Sequence, residues 1–231
     1  MNKTIGLIGG MTPESTILYY RTLNKLAASR FGKIHSCNVL LESVDFGMVS
    51  KFQKENRWDL LNEMMVKSAK NLEKGGAKCI LICANTMHLA IDEVRKYVKI
   101  PVLHIADATA IVIEKTNLSK VALLGTKYTM EKTFYKDVLT DNNIETIIPH
   151  EADRDRIHDI IYNELAFGEL NPESKQEYLR IINELIEQGA EGVILGCTEI
   201  PLLIQQEDVS VPVFDTTTIH ATEAFNQMVN E

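Results

Sequence analysis

Two stretches of the chain are versions of one another. Residues 75–87 read GGAKCILICANTM and residues 188–200 read QGAEGVILGCTEI, each a helix end, a Gly-Ala turn, a buried strand and a polar tip. Gly76 pairs with Gly189, 113 positions on, and the same offset carries Ala84 onto Cys197. The repeat extends further: IGLIGG (5–10) with its polar turn matches VALLGTKYT (121–129), and IPVLHIADAT (100–109) matches VPVFDTTTIH (211–220). A chain that repeats itself in this way is expected to fold as two homologous half-domains, 1–105 and 106–215, with the last helix, 216–231, packing back on the first. With the halves facing one another, a single thiol at position 197 stands opposite the methyl group of Ala84.

Short apolar runs, IGLIGG, CNVLLESV (37–44), CILICA (79–84), VALLGT (121–126), TIIPH (146–150) and GVILGC (192–197), alternate with helical patterns. That alternation predicts an α/β fold, each half a mainly parallel sheet flanked by helices with the active site between them. Trp58–Gly75 places Leu60, Leu61, Met64, Met65, Ala69 and Leu72 at helical period, and Ser174–Gly189 does the same with Tyr178, Ile181, Ile182, Leu185 and Ile186. Each closes at glycine. At 231 residues and 45% hydrophobic content the chain can fill a core. No apolar run approaches the roughly 20 residues that span a bilayer, and the first residues enter a strand pattern directly, so a cytoplasmic protein with no membrane partner is expected. Lys and Arg number 24 against 32 Asp and Glu, a net −8 that argues against a nucleic-acid partner and leaves a small molecule. Cysteines 37, 79, 83 and 197 have no CxxC spacing, so neither a disulfide framework nor a metal site is predicted.

In parallel sheets, ligands bind beyond the carboxyl ends of the strands. The tips there are Gly9-Gly10-Met11-Thr12, Ala84-Asn85-Thr86, Gly125-Thr126-Lys127-Tyr128-Thr129 and Cys197-Thr198-Glu199. Each precedes a predicted helix whose free N–H groups can hold a carboxylate. The Gly9-Gly10 turn lacks the third glycine of a dinucleotide fingerprint, and Thr12 and Pro13 read as helix cap and first helical residue. A lone cysteine commonly packs as a small hydrophobe. Cys197 ends a strand ahead of a helix, where the thiol pKa is expected to fall and the thiolate to become available. Cys83 lies one residue before its tip and points to the other face, into the core, while Cys37 and Cys79 fall in strand patterns and pack. Asn85, Thr86, Thr198 and Glu199 are helix caps or carboxylate ligands. His88 and His220 either pack or orient a proton. Lys51–Arg57 is a solvated helix or loop, or a cover from which Gln53 reaches a ligand.

The segments CANTMH (83–88), LGCTEI (195–200), GGMTPEST (9–16), LLGTKYTM (123–130) and HIADAT (104–109) carry a resemblance to the aspartate/glutamate racemase family over nearly the whole chain. The chain is most similar to the bacterial broad-specificity amino-acid racemases of that family. The resemblance implies a cofactor-independent isomerase, without pyridoxal phosphate, of a small acidic amino acid (aspartate or glutamate), with the substrate between two pseudo-symmetric half-domains and usually a homodimer. In the two-cysteine members one thiolate removes the Cα proton and the opposed thiol delivers a proton to the other face. Cys197 matches the second catalytic position. Asn85, Thr86, Thr126 and Thr198 match the carboxylate-binding positions, and Met11 and Gln53 the pocket lining. Ala84 stands where the first thiol belongs, which puts two-base catalysis in question. The segment 163–168, NELAFG, lacks the lysine of a strict aspartate racemase. A related single-cysteine isomerase or decarboxylase of another small carboxylate, and a catalytically impaired amino-acid-binding protein, are the alternatives.

Overall fold

Alternation of side chains along two buried runs, TIGLIG and AKCILI, organises the first part of the chain in the computed structural model, which describes residues 3–230. By internal contacts the chain divides into two units, one running through His104 and resuming at His220, the other Ile105–Ile219.

The first unit contains β1 (Thr4–Gly9), α1 (Pro13–Phe31), β2 (Val39–Ser43), α2 (Phe46–Lys54), α3 (Trp58–Lys74), β3 (Ala77–Ile82), a 3-10 turn at Thr86–Ala90 and α4 (Ile91–Arg95). The strands are parallel in the order β2-β1-β3, with Leu7 level with Leu41 on one side and Leu81 on the other. Val102 adds a parallel bridge to Ile80 on the far side of β3. Ile5, Leu7, Cys79, Leu81 and Cys83 pack on one face with Tyr19, Leu23 and Ala27 of α1. Ile8, Ile80, Ile82 and Ala84 pack on the other with Leu61, Met65, Ala69 and Leu72 of α3. Thr12 starts α1: its hydroxyl accepts from Ser15 N at 3.3 Å, and Ser15 Oγ accepts from Thr12 N at 3.2 Å, a capping box with Pro13 in the first helical position.

The second unit contains α5 (Ile105–Glu114), β4 (Lys120–Gly125), α6 (Lys127–Glu131), α7 (Thr133–Asp141), β5 (Glu145–Ile147), α8 (Glu151–Asn163), α9 (Pro172–Glu187), β6 (Gly192–Gly196), α10 (Ile200–Leu203) and β7 (Val213–Asp215). Its strands are parallel in the order β5-β4-β6-β7. Val193, Leu195 and Cys197 share a face with Tyr178, Ile181, Ile182 and Leu185 of α9, while Val121, Leu123, Ile194 and Phe214 face α5 and α7.

The internal repeat therefore holds in detail. β1, β2, β3 and the Val102 bridge occupy the places of β4, β5, β6 and β7, and Ala84 and Cys197 each lie on the sheet face covered by the helix that leads into their own strand. The turns correspond too, with φ of +95° at Gly76 and +96° at Gly189, a left-handed conformation that glycine adopts without strain. The run TIIPH is strand only over Glu145–Ile147, since Pro149 has no N–H to continue a ladder. Cys37 falls just before β2 rather than inside it, held by Asn24 Oδ1 accepting from its backbone N–H at 3.1 Å. The last helix, α11 (Thr216–Asn230), begins in the second unit, and from His220 onward belongs to the first, burying Ala221, Ala224, Phe225 and Met228 with Tyr19 and Leu23. Among the described residues no helix is long and apolar enough to cross a membrane.

Candidate active site

In the second unit β4 and β6 end side by side, Gly125 level with Gly196. A Cβ on Gly196 would stand 2.6 Å from the Leu124 carbonyl oxygen, and one on Gly125 2.7 Å from the Gly196 oxygen, so only glycine allows this approach. The Thr129 side chain lies against both glycines. The Thr126 turn and the Cys197 tip are thereby neighbours. Thr126 caps α6, its hydroxyl accepting from Thr129 N at 3.3 Å. Beyond the tip, Cys197 Sγ donates to Glu199 Oε2 at 3.0 Å and Thr198 Oγ1 donates to the same oxygen at 2.8 Å, with all three residues buried. Thr216, at the start of α11, ties the strand down by donating to Leu195 O at 2.9 Å.

The thiol itself departs from expectation. Helix α10 has four residues and begins only at Ile200, so Cys197 does not sit on a long helix N-terminus. Its pKa is raised well above the ordinary cysteine value, first by burial, then by the charge of Glu199 and the hydrogen bond to it; the backbone N–H groups of 198 and 199 pull the other way and are outweighed. Two tyrosines feel the same pair. Tyr178, whose buried hydroxyl has no hydrogen-bond partner, and Tyr162 are both raised, by burial first and then by Cys197, with Glu199 contributing to each.

In the first unit, Gly10 takes φ +87° and its N–H donates to Thr16 Oγ1 at 2.8 Å; a Cβ there would run into the Val44 carbonyl. Ser15 Oγ donates to Cys83 O at 3.1 Å, fastening the start of α1 to the end of β3. Met11 and Ala84 are buried in one apolar cluster with Met87, and Gln53 Nε2 reaches Met87 Sδ at 3.5 Å. Gln53 is buried while most of Lys51–Arg57 around it is exposed. Asn85 and Thr86 are buried at the same tip. The structure thus gathers Met11, Gln53, Ala84, Asn85 and Thr86 at the carboxyl edge of the first sheet, and Thr126, Cys197 and Thr198 at that of the second.

The candidate histidines, His88 and His220, belong to the first unit, the thiol to the second. His88, His104 and His220 form a buried group in the first unit, the His88 ring centre 4.9 Å from that of His104 and 5.4 Å from that of His220. His220 Nε2 lies 3.2 Å from Leu103 O and must carry the hydrogen, leaving Nδ1 to accept from the Tyr19 hydroxyl at 2.9 Å. His88 Nδ1 likewise donates to Ala84 O at 2.9 Å, steadying the backbone of that tip. Burial lowers the pKa of His88 to about 4 and that of His220 well below its usual value. They are neutral packing groups at pH 7. Cys83 is also unsuited to proton transfer, its thiol raised by burial in the cluster on the face opposite Ala84. Among the described residues no group of three His, Cys, Asp or Glu side chains is arranged to hold a metal ion.

Of the thiol's surroundings, Tyr178 and Tyr162 are missed by pattern reading, and Glu199 is given as a cap or carboxylate ligand rather than as the thiol's own partner. Glu199 stood in the tip motif, and its type and place two residues after the cysteine were the available signal. The tyrosines lie in helical patterns that gave no sign of their destination.

Residues 8–224 match the Asp/Glu/hydantoin racemase family. The chain belongs to that family. It is an isomerase of the amino-acid racemase type. Among solved structures, this racemase is similar to a Yersinia pestis protein described as a candidate Asp/Glu racemase, at 44% identity and TM-score 0.90, covering 98% of this chain and 99% of that one. It is also similar to an aspartate racemase homologue from Pyrococcus horikoshii OT3, at 40% identity and TM-score 0.84 with both chains covered in full. The broad-specificity amino-acid racemase RacX of Bacillus subtilis (strain 168) is 23% identical over 218 residues, 92% of each chain.

Proposed function

We propose that this racemase acts on a small acidic amino acid, aspartate or glutamate, without a cofactor, and that Cys197 is the base that removes the Cα proton. The observation that carries the reading is a buried thiol at the tip of β6, already hydrogen-bonded to a carboxylate that the Thr198 hydroxyl also holds. The names of the Pyrococcus and Bacillus relatives support an amino-acid substrate, and the Pyrococcus name favours aspartate.

Deprotonating Cα puts a second negative charge beside a carboxylate, so catalysis depends on donors aimed at that developing charge. Asn85, Thr86, Thr126 and Thr198 are assigned to the substrate carboxylate, with Met11 and Gln53 lining the pocket. A positioned base contributes about 10²–10⁴-fold. The position equivalent to Cys197 in the repeat holds Ala84, which neither gives nor takes a proton, so delivery to the second face is handicapped by a factor of that order. Ala84 also favours a second reading in which the protein exchanges the Cα proton of one enantiomer without inverting it, or binds an amino acid without turnover. The homodimer implied by the family resemblance belongs to the same proposal and is checked by sedimentation.

Proton NMR of the L and D forms of aspartate, glutamate and a panel of other amino acids in deuterated water, with Cys197→Ala as control, tests the assignment. Inversion with loss of the Cα signal supports racemisation. Loss of signal from one enantiomer alone supports one-sided exchange. Absence of exchange from every compound, with the wild-type thiol intact, removes Cys197 as a base.

A further inference from the structure

Resting on that reading of Cys197, we infer that Glu199 is the positioning residue that receives the Cys197 proton when the thiolate forms. Cys197 Sγ lies at hydrogen-bond distance from Glu199 Oε2, 3.0 Å, and the Thr198 hydroxyl fixes the same oxygen from a second direction at 2.8 Å. The arrangement identifies donor and acceptor, since an ionised carboxylate oxygen has only acceptor capacity.

Burial decides where the proton must go. Cys197 is 8% exposed and Glu199 3%. Two anions at hydrogen-bond distance in such a site cannot both persist, which is why like charges sharing a pocket ionise one at a time. Loss of the thiol proton to solvent would leave a thiolate against a carboxylate. Transfer to Glu199 keeps one negative charge in the tip throughout: the S–H bond breaks, an O–H bond forms on Oε2, and the charge passes from carboxylate to sulfur. The thiolate then takes the Cα proton, re-forming S–H as the electron pair stays on the substrate carbon. Burial first, and then this same repulsion, raise the thiol pKa in the resting state.

The other groups facing the pair are Tyr162 from α8 and Tyr178 from α9. Glu164 and Arg156 act on Tyr178, and Tyr128 acts on Tyr162.

Glu199→Gln is close in shape and can still accept from Cys197 and Thr198, but it cannot take up a proton. Thiolate formation is read in the free enzyme from ultraviolet absorbance against pH, each protein minus its Cys197→Ala counterpart, and Cα exchange is read by NMR in deuterated water. In Glu199→Gln the thiolate is expected at a pH lower by about one unit or more, because the repelling charge is gone, while exchange falls about 100-fold, because the acceptor is gone. The two readouts moving in opposite directions is the signature. A Glu199 that was only a repelling neighbour would make exchange faster when neutralised, and a purely structural one would move neither readout in folded protein. Glu199→Asp, which keeps the charge but draws it back by one methylene, is expected to titrate close to wild type and to lose about tenfold in exchange; it decides the matter if the Gln variant does not fold, with wild-type exchange in the Asp variant overturning the inference. Exchange in Glu199→Gln within about threefold of wild type, or a thiolate titration that does not fall, also overturns it. If wild-type protein exchanges no amino acid at all, the racemase reading fails and the inference that rests on it fails with it; a thiolate titration that does not fall overturns the role of Glu199 separately.

Discussion

A methyl group at position 84 and a thiol at position 197 give the two repeats different chemistry at equivalent places. If Cys197 is the base as proposed, Ala84→Cys is expected to raise the inversion rate of the preferred amino acid by about 10²-fold, measured by optical rotation, with exchange of the enantiomer that Cys197 serves nearly unchanged. Ala84 packs with Met11 and Met87, so the added sulfur is expected to cost about 1 kcal/mol of stability, at the low end for overpacking. Gly196→Ala acts in the second repeat. Its methyl would stand 2.6 Å from the Leu124 oxygen, and β4 and β6 would have to part just where Cys197 emerges. Loss of about 1–3 kcal/mol in urea unfolding is expected, with a fall in exchange larger than that loss of folded protein explains. The sequence was sufficient to locate Cys197, Asn85, Thr86, Thr126 and Thr198 at strand ends, because hydrophobic runs stop visibly at polar residues. The sign of the Cys197 pKa shift was not legible, because it depends on burial and on a rotamer that turns Glu199 back onto the thiol, and a linear pattern encodes neither.

Local signals at the element scale differ in strength with how much of the element they specify. Thr12 and Pro13 specify a helix start completely, and the capping box with Ser15 follows. Thr12→Ala is expected to lower stability by about 1 kcal/mol, read as a reduced midpoint in urea with an unchanged slope. Glycine closing α3 was equally readable; α9 ends one residue earlier than the pattern implied, with Gln188 as cap before the left-handed Gly189. The helix expected after Cys197 shrinks to the single turn of α10, since Ile204 is extended and Gln205 opens a separate 3-10 turn closed by Asp208. Helix length there is set by how the chain returns to pair β7 beside β6, a tertiary demand without a local signature.

Acid should unfold the whole molecule earlier than its carboxylates alone would require. His88 is buried and neutral in the folded chain with a pKa of about 4, against an ordinary value of 6.5. The unfolded chain therefore binds the extra proton first, and the stability contributed by the neutral ring is complete above pH 6.5 and is lost as pH falls toward 4. His88 alone is expected to remove about 2 kcal/mol between pH 7 and pH 5, with His104, lowered to about 2, and His220, lowered well below its usual value, acting in the same direction. Urea midpoints across that range check this, and His88→Gln should flatten the dependence even though it lowers stability at pH 7. At this scale the α/β class and the duplication were legible, because a repeat at a fixed offset survives in any linear reading. The histidine group was not, since residues 88, 104 and 220 are far apart in the chain and meet where α11 returns against Leu103.

The same final helix carries one more implication. Because its residues from His220 onward fill out the core begun by β1 and α1, a ribosome must read through the second unit and past His220 before the half it made first can close. A premature stop or a protease cut just before His220 would leave Thr216 in place on the thiol's own sheet and instead strip the cover from the amino-terminal one, exposing Tyr19 and Leu23 to water.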